Sequence, residues 1–137
     1  MSILKTGAVV LAFIVFAAVA CDGGKSGAVP KSDSIRASHI LILHQESARG
    51  QSTRSKTEAN ELAREIHRKL VEEDASFEQL AKQYSDCPSR VNGGDLGTIK
   101  KGDLNSAFET AAFSLKTNKV SDIVETDLGY HIILRTE

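Results

Sequence analysis

Ile35-Arg36-Ala37-Ser38-His39-Ile40-Leu41-Ile42-Leu43 is the stretch on which the fold turns. It is short and dense in Ile and Leu, which favours a buried central strand over a helix. Downstream, Ser55-Lys56-Thr57-Glu58 has the form of a capping box, in which a serine hydroxyl and a glutamate carboxylate accept from backbone amides at a helix start. Ala59, Leu62, Ala63, Ile66 and Leu70 follow at helical spacing, so a long amphipathic helix is predicted. Ser76-Phe77-Glu78-Gln79 reads as a second box, opening a shorter helix with Phe77, Leu80, Ala81 and Tyr84 on its apolar stripe. Ser106-Ala107-Phe108-Glu109 reads as a third, leading into Ala111, Ala112 and Leu115. Gly93-Gly94-Asp95-Leu96-Gly97 breaks the helical pattern and leads to a short strand near Leu96 to Ile99. Lys119 to Glu125 and Tyr130 to Arg135 read as two more strands, joined by the turn chemistry of Thr126-Asp127-Leu128-Gly129. This order specifies an α+β plan, with about three to four helices around a small, four-stranded, mainly antiparallel sheet.

Upstream of the strand the composition changes. Gly7 to Ala20 is a charge-free run of fourteen small and apolar residues behind a single cation, Lys5. A permanent membrane helix needs roughly 20 such residues, so a signal peptide over residues 1–20 is the better reading. The run ends in Ala18-Val19-Ala20-Cys21, which resembles the lipobox of bacterial lipoproteins, although Ala18 stands where that pattern usually has Leu. The resemblance implies that Cys21 is lipidated and becomes the mature N-terminus. An uncleaved anchor, or ordinary cleavage after Ala18 to Ala20, is the other reading. Asp22 to Ser34 is rich in Gly, Ser, Lys and Asp without a period, so residues 21–34 read as a flexible tether reaching about 40 Å at most. Residues 35–137 then form one domain. Loss of the first 20 residues removes one charge and leaves 16 basic against 18 acidic side chains. That balance excludes nucleic acid as an expected partner, since its binding needs clustered Lys and Arg.

Five motifs recur in a recognisable order: Ala37-Ser38-His39-Ile40-Leu41, Tyr84-Ser85-Asp86-Cys87-Pro88-Ser89, Gly93-Gly94-Asp95-Leu96-Gly97, Phe108-Glu109-Thr110-Ala111-Ala112-Phe113 and Gly129-Tyr130-His131-Ile132-Ile133. Together they resemble the parvulin family of peptidyl-prolyl cis-trans isomerases over essentially all of residues 35–137. The resemblance implies a parvulin-like fold. It also implies that His39 and His131 form a hydrogen-bonded pair beneath the active site, with Thr126 completing the network and Cys87 facing the substrate. The proline socket it implies is Leu96, Leu104 and Phe108, with Leu104 where the family often has Met.

From the residues alone, His39 and His131 each sit in an apolar strand pattern, where an imidazole must find hydrogen-bond partners. They meet if the two strands are neighbours; otherwise each is a satisfied core residue. Likewise Leu96, Leu104 and Phe108 read equally as core packing. Cys87 invites two other readings. A cysteine nucleophile needs an oxyanion device and an orienting group that the sequence does not reveal. A zinc site from Cys87, His39 and His131 lacks any close ligand spacing, so no metal and no cofactor are expected.

Prolyl isomerisation needs neither, because the barrier of about 18–20 kcal/mol is amide resonance and can be lowered by a site that disfavours the planar amide. Some parvulins read a phosphate before the proline with a basic cluster. The positions matching it here are Leu43, Ala48 and Arg49, so Arg49 is the one basic contact for an acidic or phosphorylated residue. Arg54 and Lys56 partly substitute in one reading and are plain loop cations in the other. With Trp absent, no WW module is expected. The sequence thus predicts a monomeric isomerase. It is expected to be lipid-anchored to a cell membrane, facing the periplasm or cell exterior, and to act on proline-containing unfolded or flexible exported polypeptides. The rival is a chaperone module that binds peptides in the same groove without catalysis.

Overall fold

The computed structural model describes residues 33–49 and 51–137. The leader at 1–20, Cys21 and the tether up to residue 32 lie outside the described residues. The described residues form four strands, β1 (Ser34–Ile42), β2 (Asp95–Lys100), β3 (Val124–Thr126) and β4 (Gly129–Arg135). Among the described residues three helices accompany them, α1 (Lys56–Glu72), α2 (Phe77–Tyr84) and α3 (Ser106–Ser114), with a 3-10 turn at Pro88–Asn92. The sheet is antiparallel throughout and its order is β2-β1-β4-β3. The Ile- and Leu-rich run is therefore an interior strand, buried along nearly all its length.

Successive side chains on a strand point to opposite faces, and here the two faces serve different cores. Ile40 and Ile42 of β1 join Tyr130 and Ile132 of β4 under α1 and α2, through Ala59, Ala63, Ile66, Phe77, Leu80 and Ala81. Ile35, Ala37 and Ile133 face the other way and pack with Ile99 against Phe108 and Ala112 of α3. Beyond Ser38, where β2 ends its pairing, the outer edge of β1 is covered by the segment after α2. His39 donates its amide to the Gly94 carbonyl, Asp86 donates to the Leu41 carbonyl, and the Ser85 hydroxyl accepts from the Leu41 amide. These three bonds continue the pairing of β1 past the end of β2, where a buried backbone needs partners.

Ser55 caps α1 in a complete box with Glu58, and the Ser76 hydroxyl accepts from the Gln79 amide at the start of α2. The third start differs from the expectation. Asn105, not Ser106, is the cap of α3, and its side chain accepts from the Ala107 amide at 2.9 Å. Asn is at least as good a cap as Ser, and it comes one residue earlier. Glu109 is thereby freed from the expected box and bonds to the loop before the helix. The strand expected over Lys119 to Glu125 is also reduced. It consists of Val124–Thr126 and an isolated bridge between Val120 and Leu134. Ser121 explains the interruption: its hydroxyl takes the Ile133 amide at 3.0 Å, a place that a ladder carbonyl would otherwise fill.

Candidate active site

The pairing of β1 with β4 sets Leu41 opposite His131 and His39 opposite Ile133. His39 and His131 are therefore diagonal neighbours on one face, within reach of each other's rings. Their Nδ1 atoms lie 3.2 Å apart, and the rings stack with centroids 5.4 Å apart. The Thr126 hydroxyl lies 2.8 Å from His131 Nε2 and also accepts from the Leu128 amide at 3.2 Å. The two-residue turn Asp127-Leu128 brings Thr126 into this position by pairing it with Gly129.

Burial governs the charge of the pair. It lowers His39 from 6.5 to about 4 and, with the repulsion of His39 added, lowers His131 to about 3. Both rings are neutral at pH 7, so one Nδ1 donates to the other. If His131 were the donor, His39 would carry its proton on Nε2, a buried atom with no partner among the described residues. If His39 donates, that atom is an unfilled acceptor, which is tolerated more readily than an unpaired N–H. His131 then donates from Nε2 to Thr126, whose own proton is left free to point into the cleft above.

That cleft has a volume of about 180 Å³ and is lined by every site residue read from the sequence within the domain: His39, Cys87, Leu96, Leu104, Phe108, Thr126, His131 and Arg49. Phe108 is 3% exposed and stands edge-on to both imidazoles, with centroids 5.7 Å from His39 and 5.4 Å from His131. Leu96 is half-buried and Leu104 is 42% exposed, so the apolar cup is open to solvent on their side. Cys87 precedes the 3-10 turn, half-buried, with its amide donated to the Ser85 hydroxyl. Among the described residues its thiol has no hydrogen bond to either imidazole. No group of three or more potential metal ligands occurs among the described residues.

Arg49 lines the mouth of the cleft, and the adjacent Ala48 amide is pinned to the Asp127 carbonyl at 2.8 Å. Arg54 and Lys56, weighed as substitutes for a basic cluster, are engaged elsewhere. Arg54 pairs with Asp86 at 2.7 Å and Lys56 with Glu125 at 2.6 Å. Three lining residues escaped the sequence reading: Leu41, Leu128 and Asn105. Leu41 was open to discovery, since it lies two residues from His39 and must share its face. Leu128 and Asn105 sit in a turn and at a cap, where no period marks the direction of a side chain.

An open apolar cup beside neutral imidazoles suits an enzyme that turns a peptide bond at proline. The sequence matches the rotamase family, the PPIC-type PPIase domain, over residues 39–137. The chain belongs to that family, the parvulin-type peptidyl-prolyl cis-trans isomerases. It is 42% identical over 114 residues to the peptidyl-prolyl cis-trans isomerase Pin1 of Arabidopsis thaliana, an alignment covering 76% of this chain and 96% of that protein. It is 43% identical over 104 residues to the foldase protein PrsA of Bacillus subtilis, covering 75% of this chain and 30% of that one. Its fold is similar to the solved structure of the peptidyl-prolyl isomerase ESS1 from Candida albicans, with a TM-score of 0.75 and 32% identity over 85% of this chain and 70% of that one. The chain is a peptidyl-prolyl cis-trans isomerase.

Proposed function

We propose that this isomerase works as an exported lipoprotein, tethered through Cys21, that accelerates X-Pro rotation in proline-containing segments of polypeptides folding at the membrane. The observation that carries the catalytic part is the meeting, in one open cleft, of the His39–His131 pair with the cup of Leu96, Leu104 and Phe108. The cup holds the pyrrolidine ring by apolar contact. The rest of the site then acts on the amide.

The planar amide is charge-separated, with negative charge on its carbonyl oxygen, and a twisted amide has lost that separation. A cation at the oxygen would stabilise the planar form and raise the barrier. Neutral, desolvated imidazoles and the weakly polar Cys87 thiol withhold that stabilisation, and the Thr126 hydroxyl orients the pair from below. Each 1.36 kcal/mol taken from the barrier gives about a tenfold rate gain. One chain contributes the whole cleft, which supports action as a monomer.

A single cation, Arg49, supports turnover without a strict need for phosphate before the proline, because a dianion is held by several donors. The charge-free run Gly7 to Ala20 followed by Cys21 supports lipidation, and with it a membrane-bound place on the periplasmic or outer side. The decisive experiment measures cis-trans exchange of a proline peptide by NMR for wild type, His39→Ala and Phe108→Ala. Folded variants should lose activity at least tenfold; equal rates would reject these roles. Mass spectrometry of the mature N-terminus with membrane fractionation tests the anchor, and an unmodified Cys21 in a soluble fraction would reject it.

A further inference from the structure

The loop between β2 and α3, Lys101 to Asn105, is exposed throughout, yet it carries one wall of the cup. Leu104 keeps 42% of its surface in solvent, so burial does little to hold it in place. An exposed loop with few apolar contacts opens easily unless hydrogen bonds order it. Three side chains provide them. Asp103 accepts from the Lys100 amide at 2.9 Å and Asn105 from the Ala107 amide at 2.9 Å; both are local caps. Glu109 reaches further. A single oxygen, Oε1, accepts from the Gly102 amide at 2.8 Å and from the Leu104 amide at 2.9 Å. Glu109 follows Phe108 in the first turn of α3, so its carboxylate joins the helix bearing one wall of the cup to the peptide bearing the other.

We propose that Glu109 is a positioning residue: by holding the Gly102 and Leu104 amides it fixes Leu104 against Phe108 and sets how tightly the cup grips the proline ring. The inference rests on the reading of Leu104 and Phe108 as walls of that cup. Hydrogen bonds to an ionised acceptor are stronger than neutral ones, and two on one oxygen leave the loop little freedom. Losing them exposes two loop amides to water, which satisfies them, so the fold persists while Leu104 loses its fixed place.

The test compares the full chain with Glu109→Asp, Glu109→Gln and Leu104→Ala, alone and combined, by NMR exchange on a proline peptide together with thermal melts. Glu109→Asp keeps the charge but draws the carboxylate back by one methylene. It should lower kcat/KM about tenfold, mainly through a higher KM, with Tm little changed. Glu109→Gln keeps an acceptor oxygen and should recover most of the activity. In the Leu104→Ala background, Glu109→Asp should have no further effect, because the wall it positions is gone. A folded Glu109→Asp variant with wild-type kcat/KM overturns the proposal, and so does a loss that adds in full to that of Leu104→Ala. If Glu109→Asp does not fold, Glu109→Ala is judged by the same two criteria. A wild-type chain that binds the peptide without isomerising it would instead reject the reading of the cleft, and the positioning role with it.

Discussion

Nδ1 of His39 lies 3.2 Å from Nδ1 of His131, across the strands β1 and β4. The pair is neutral in the native protein because burial lowers the two rings to about 4 and about 3, against 6.5 in the unfolded chain. Between those values the unfolded chain binds protons that the native one does not. The stability tied to the neutral pair is therefore complete above about pH 6.5 and is lost as the pH falls through 4 and then 3. Thermal melts should give a constant Tm above about pH 7 and a falling one below about pH 6. The activity of the folded enzyme should hold to lower pH than its stability does. An activity midpoint near 6.5 would mean that water reaches the pair freely.

Thr126→Val is nearly isosteric and removes one hydroxyl. It leaves His131 Nε2 and the Leu128 amide without the partner they share. An unsatisfied buried polar group costs about 1–3 kcal/mol, so urea unfolding should report a loss of that size. Thr126→Ser should recover most of it. If Val and Ser variants unfold alike, the hydroxyl does not hold the pair.

Gly94 and Gly97 both have positive φ, +85° and +72°, but only one is crowded. A Cβ on Gly94 would lie 2.3 Å from the His39 carbonyl oxygen, whereas one on Gly97 would meet nothing within 4 Å. Gly97→Ala should cost only the backbone term, about 1–2 kcal/mol. Gly94→Ala adds a clash with backbone that cannot swing away, so its loss should be clearly larger, and it should also shift the NMR signals of His39. Equal losses would argue against the close approach.

Substrate choice can be read from matched peptides carrying phosphoserine, glutamate or alanine before proline. With Arg49 as the cation at the cleft mouth, the expected spread in kcat/KM is within about a hundredfold, or roughly 2.7 kcal/mol. A larger loss on replacing phosphoserine by alanine would reject turnover without a strict need for phosphate.

Local chemistry made much of the fold legible. Ser55 and Glu58 announced α1, the run from Ile35 announced an interior strand, and Tyr130 to Arg135 read as the strand that forms β4. What local chemistry does not carry is register between distant segments. Nothing near His39 says that its diagonal neighbour lies 92 residues away; that is implied by resemblance to a family, and the paired strands give it a distance. The same limit applies to Ser121, whose hydroxyl replaces a ladder carbonyl only because Ile133 lies beside it. At α3 the sequence pointed to Ser106, whereas Asn105 caps the helix one residue earlier and Glu109 bonds the preceding loop.

The division of β1, with His39 and Leu41 turned to the cleft and Ile40 and Ile42 turned to the main core, limits how the enzyme can diverge. Exchanging a cleft side chain retunes what is gripped and leaves the opposite scaffold intact. Adding or deleting one residue in the strand would do something else, pointing an isoleucine at the peptide and driving an imidazole into oil. Descendants of this chain can therefore alter the letters of that strand far more readily than its length.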